Sequence, residues 1–107
     1  MLLATPHSKQ MIKRIENNLN TVDAAAFREI IEQHNTALRQ AHDAVQEAIK
    51  SVASTYEQDP VDPTTLQVSI NHLNESRAIL NDVVGKILAD SSTKISPEGR
   101  HLIAELK

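Results

Sequence analysis

Residues 23–56 read DAAAFREIIEQHNTALRQAHDAVQEAIKSVASTY, a run without glycine or proline. Phe27, Ile31, His34, Leu38, Ala41, Val45, Ala48, Val52 and Tyr56 recur in it at steps of four and three residues. That alternation lines up one stripe of an α-helix and is the spacing of a helix–helix seam. It predicts a single helix from about Asp23 to Tyr56. Downstream, Leu66, Ile70, Leu73, Arg77, Leu80, Val84 and Ile87 repeat the alternation and predict a second long helix from about Pro63 to Ala89. Between them, Glu57-Gln58-Asp59-Pro60-Val61-Asp62 has the composition of a turn. Helices of roughly 34 and 27 residues would be about 50 and 40 Å long. A short turn between them makes an antiparallel hairpin.

Three X-Pro pairs, Thr5-Pro6, Asp62-Pro63 and Ser96-Pro97, mark helix starts. Thr, Asp and Ser accept hydrogen bonds from the free N–H groups of a first turn, and proline lacks the N–H that would go unpaired there. A fourth start is predicted near Thr21, after Asn17-Asn18-Leu19-Asn20. The first helix then spans about Pro6 to Leu19, with Met11, Ile12, Ile15 and Leu19 on its apolar side. A short last helix follows the polar linker Asp90-Ser91-Ser92-Thr93-Lys94 and turns Leu102, Ile103 and Leu106 inward. The expected fold is all-α: a long antiparallel helical hairpin with short flanking helices, four helices in total, in one domain. So thin a hairpin removes little surface from water. The end helices can cover part of the exposed stripe and a second copy more, so a homodimer is expected, its rival being a monomer whose first and last helices complete a compact bundle.

Composition narrows the function. The chain has 107 residues, a net charge of −3 and only two aromatic residues, Phe27 and Tyr56. Without a basic stripe or stacking aromatics, nucleic acid is not an expected partner. No cysteine is present, which excludes disulfides, thiolate metal sites and cysteine nucleophiles. No run of apolar residues reaches the length of a membrane span. No glycine-rich phosphate loop, nucleophile elbow or His-Glu-x-x-His motif occurs, so an enzyme is not expected.

Two seam positions break the apolar pattern. His34 reads either as a half-buried histidine bonded to a neighbour or as a metal ligand. With the turn centred near Pro60, its opposite number is about Lys86. Arg77 falls opposite about Asp43 and reads as an arginine–carboxylate pair that fixes register. Among the remaining histidines, His7 with Met11, His72 with Glu75, and His101 with Glu98 or Glu105 stand three or four residues apart. Each pair could offer two donors on one helix face, though solvated surface is the alternative for each. A thioether beside an imidazole suits copper-like or nickel-like ions better than calcium or magnesium. The candidate metal ligands are His7 and Met11 first, then His34 and Glu32.

A family resemblance enters on Ala26-Phe27, Thr36-Ala37-Leu38-Arg39-Gln40-Ala41, Asp59-Pro60-Val61-Asp62-Pro63 and Ile95-Ser96-Pro97-Glu98-Gly99-Arg100. Together they resemble the periplasmic heavy-metal resistance and sensor family, which is related to Spy/CpxP-like stress chaperones. The last segment is similar to a recurrent start of that family's final helix, with a weaker copy at Thr5-Pro6-His7-Ser8-Lys9. The resemblance runs from about Thr5 to Lys107. It implies a hooked helical hairpin, usually a homodimer, located in the periplasm, with a native N-terminal signal or membrane anchor ahead of this sequence. It also implies nickel, cobalt, copper or zinc as the bound ion. A membrane-bound signalling partner, or unfolded clients for an ATP-independent chaperone, are the implied partners. The chain departs from the family's sensor pattern. It has only His7 with Met11 near its start, and no His or Met from Val84 to Ser92.

Overall fold

The computed structural model describes residues 8–105, with the side chains of Ser8, Lys9 and Met11 outside the description. Four helices follow one another: α1 (Ser8–Asn18), α2 (Thr21–Tyr56), α3 (Pro63–Ser91) and α4 (Pro97–Glu105). No strand occurs among the described residues. The 36 residues of α2 rise about 54 Å, nearly the whole of the 56 Å long axis. α3 returns beside α2 as the second arm, and α1 and α4 wrap the open end.

The caps explain where the helices begin. Asn20 opens α2, its Oδ1 accepting the Asp23 N–H at 2.8 Å. Asp62 opens α3, accepting the Thr64 N–H at 3.1 Å and the Thr65 hydroxyl at 2.7 Å, with Pro63 at the first helical position. Ser96 opens α4, its Oγ accepting the Gly99 N–H at 3.1 Å. The starts of α3 and α4 lie where their capping residues predict them, and α2 begins at Thr21, the start expected after the Asn17–Asn20 cluster.

The seam differs in phase from the sequence reading. On α3 the inward positions are Ser69, Ser76, Leu80, Val83, Val84, Ile87 and Ser91. Leu66, Ile70 and Leu73 are only half-buried, and Arg77 is exposed. On α2, Ile30 is fully buried and Thr55 closes the stripe, while Val52 is half-buried and Tyr56 is 68% exposed. Hydroxyls can hold core positions here because each satisfies itself on its own helix. Thr55 donates to the Ser51 carbonyl, Ser76 to that of His72 and Ser91 to that of Leu88. No buried side-chain polar atom lacks a partner among the described residues.

Polar contacts between the two arms fix the register. Thr55 Oγ1 and Ser69 Oγ lie 3.2 Å apart near the turn, and His34 Nε2 lies 2.6 Å from Asp90 Oδ2 toward the open end. Both pairs are centred on Asp62. The register is therefore displaced by about one helical turn from one centred on Pro60. The chain runs on past the end of α2 before α3 begins, so the first turn of α3 overhangs. This overturns both pairings expected above. His34 meets Asp90 instead of Lys86, which turns away to Asp82 at 3.2 Å. Arg77 lies on the outer flank and Ser76 takes the inward place, set by the register against buried Ala48.

The core is thick at one end. Ile15 from α1, Leu19 just beyond its end, and Ile95 and Ile103 around α4 join Phe27, Ile30, Ile31, Val84 and Ile87 in one cluster. Toward the turn it thins to Val45, Ala48 and the Thr55–Ser69 pair. Full burial of an Ile side chain contributes about 1.5–3 kcal/mol, so most of the stabilising area lies where the end helices close over the hairpin.

Candidate functional site

Two polar clusters lie at the thick end. The first is structural in character. Asp23, in the first turn of α2, is 3% exposed. Its Oδ1 accepts the Ser96 N–H at 3.0 Å, its Oδ2 accepts the Ser96 hydroxyl, and the Asn20 amide donates to it at 3.1 Å. Hydrogen bonds from the Ser96 side chain and then its backbone, with a smaller one from Asn20, hold the carboxyl below its ordinary value against the opposing effect of burial. Gly99 is buried against this clasp. A Cβ there would lie 2.6 Å from Asp23 Oδ2 and 2.7 Å from Ile95 Cγ2. The clasp ties the start of α4 to the start of α2. Donors from Ser96 and Asn20 engage both oxygens of the carboxylate, a structural use of the charge.

The second cluster is the His34–Asp90 pair. His34 sits on the inner stripe of α2, one turn beyond Ile30, with 20% of its side chain exposed. Asp90 stands in the last turn of α3 with 45% of its side chain exposed. One imidazole and one carboxylate thus converge from facing helices, with the solvent side open. Imidazole and carboxylate donors fit zinc, nickel, cobalt and copper ions. Among the described residues no group of three His, Asp or Glu side chains converges to hold a metal ion.

The remaining candidates fall apart from this pair. Glu32 is exposed. Positions two apart on a helix do not share a face, so it is not brought to His34. His7 lies outside the described residues, as does the side chain of Met11, whose backbone belongs to α1. α1 folds back along α2, as the 3.6 Å approach of Arg28 to Glu16 shows. His101 and Glu105 lie 4.0 Å apart on the exposed side of α4, and His72 and Glu75 are both exposed on α3. Sequence reasoning misses Asp90 and Asp23. Asp90 reads as linker, and a register moved by one turn would find it. Asp23 carries no signal beyond an acidic residue in a first turn.

No helix among the described residues is long and apolar enough to cross a membrane. A family model described as heavy-metal resistance matches residues 3–101. No curated protein matches the chain, and no solved structure does.

Proposed function

The chain belongs to the heavy-metal resistance family, and from that premise we propose that it is a periplasmic protein that binds and responds to a heavy-metal ion. The observation that carries this reading is the family match over residues 3–101. The donor chemistry is compatible with it: an imidazole and a carboxylate face each other across the hairpin, 2.6 Å apart. The ion is cargo or signal, of the nickel, cobalt, copper or zinc class. The protein acts as a homodimer whose second copy covers the thin part of the hairpin, and a membrane-bound partner receives the signal. Calorimetric titration with Ni²⁺, Co²⁺, Cu²⁺ and Zn²⁺ tests the reading. Saturable binding of at least one ion is expected, and binding of none overturns it.

A second reading draws on one specific observation. Tyr56, Val68 and Ile79 are each at least 60% exposed on the arms of the hairpin. Apolar side chains held in solvent can be covered by apolar segments of an unfolded chain, so a chaperone-like role is the alternative. Suppression of client aggregation by the metal-free protein, together with no metal binding, would favour it.

A further inference from the structure

We propose that His34 and Asp90 together form a two-ligand site for a divalent transition-metal ion, bridging the two long helices at the open end of the hairpin. This deepens the metal-binding reading above and rests on it, but it assigns residues that the family match does not.

The pair is built across the fold. His34 and Asp90 are 56 positions apart in the chain, yet Nε2 and Oδ2 approach to 2.6 Å. A tetrahedral ion holds nitrogen and oxygen donors at about 2.0–2.2 Å, which places the donor atoms roughly 3.3 Å from each other. The two side chains therefore need to part by less than about 1 Å for an ion to replace the proton they share. Rotamer adjustment can supply that without moving a helix. His34 stands on the buried stripe between Ile30 and Leu38, and its bond to Asp90 already aims Nε2 at the carboxylate. Preorganisation of that kind lowers the cost of binding.

Charge and access favour a cation. Lys86, one turn before Asp90 on α3, is drawn to Asp82 at 3.2 Å and leaves the Asp90 carboxylate to His34. The partial exposure of both side chains leaves room for water in the remaining coordination positions. The donor set is one borderline nitrogen and one hard oxygen, which suits zinc, nickel and cobalt better than a soft monovalent ion. Because the ligands come from opposite arms, an occupied site would pin α2 to α3 near the point where α1 and α4 close over them.

The experiment compares wild type with Asp90→Asn and His34→Gln by calorimetric titration with Zn²⁺ and Ni²⁺. Both replacements keep an amide that can hydrogen-bond across the hairpin, so the metal-free fold is retained while one ligand is lost. Each variant is expected to bind at least tenfold more weakly than wild type. In the wild type, the ¹⁵N resonance of His34 Nε2 is expected to shift on adding Zn²⁺, a readout that needs no variant to fold. Unchanged affinity in Asp90→Asn, or a Nε2 resonance that does not move while the ion binds, overturns this site and leaves the family reading intact. A wild type that takes up none of the four ions overturns both.

Discussion

Replacing Gly99 by alanine tests the clasp between α2 and α4 at a single atom. The added Cβ would lie 2.6 Å from Asp23 Oδ2 and 2.7 Å from Ile95 Cγ2, both closer than real carbon contacts allow. Ile95 is buried in the core cluster and β-branched, so its methyl has little freedom to move. The Asp23 carboxylate can retreat only by lengthening its bonds to Ser96 and Asn20. Overpacking of this kind costs about 1–3 kcal/mol. Alanine recovers about 0.5–1 kcal/mol through its better helix propensity. The net expectation is a loss of about 1–2 kcal/mol, or a melting temperature lower by roughly 5–10 °C in a domain of this size. Gly85→Ala is the matched control. Gly85 lies exposed inside α3, and a methyl group added there meets nothing within 4 Å, so the substitution should gain about 0.5–1 kcal/mol. Thermal melts followed by circular dichroism at 222 nm (the helical minimum) read both variants. A Gly99→Ala protein as stable as Gly85→Ala would refute the packing reasoning at the clasp.

Further outcomes follow from the same contacts. Asp23 and Asp62 are both held below their ordinary value of 3.8 by hydrogen bonds, Asp62 chiefly by the Thr65 hydroxyl and then the Thr64 N–H. The unfolded chain then takes up protons first, so their contribution is present above pH 3.8 and is lost as acidity carries each carboxyl through its folded value. Acid unfolding of Asp23→Asn should show a shallower dependence than wild type below that pH, and an unchanged slope would count against the clasp. Ile30→Ala and Ile87→Ala, both at fully buried positions, should each cost about 2–5 kcal/mol in urea unfolding, whereas Ile79→Ala at an exposed position should stay within about 0.5 kcal/mol. Thr55→Val should cost only about 0.5–1.5 kcal/mol, because the Ser69 hydroxyl keeps the Thr65 carbonyl as its partner. Adding Ser69→Ala should cost less in the Thr55→Val background than in wild type, and strict additivity of the two changes would argue against their contact.

Much of the architecture is legible in the sequence because helix signals are local. Asp62-Pro63 and Ser96-Pro97 cap and start helices by chemistry that needs no tertiary context, and the absence of glycine and proline from Asp23 to Tyr56 leaves α2 nothing to break it. The register is not legible, because hydroxyls occupy seam positions where apolar residues are expected. Carried on strictly, the alternation of fours and threes lands after Val52 on Thr55, which is buried, and not on Tyr56, which is exposed. On α3 the true phase runs through Ser69 and Ser76, side chains that enter a core only because the carbonyl one turn back receives their proton. Reading apolar residues alone moves the phase by one residue and pushes Arg77 inward. Asp90 is hidden from His34 by a separate displacement of one turn, the result of centring the hairpin on Pro60 instead of Asp62. Nearness in sequence suggests Glu32 as a companion for His34, but on a helix that spacing places it on another side.

The pairing of His34 with Asp90, the inward serines and the bridging site all require the two long arms to be centred on Asp62. Nuclear Overhauser contacts from the Ala48 methyl group measure that centring directly. The Ala48 methyl should show cross-peaks to the Ser76 β-protons, and the Thr55 methyl to those of Ser69. Cross-peaks from Ala48 to His72 in their place would put the arms one turn out and take the proposed metal ligands apart.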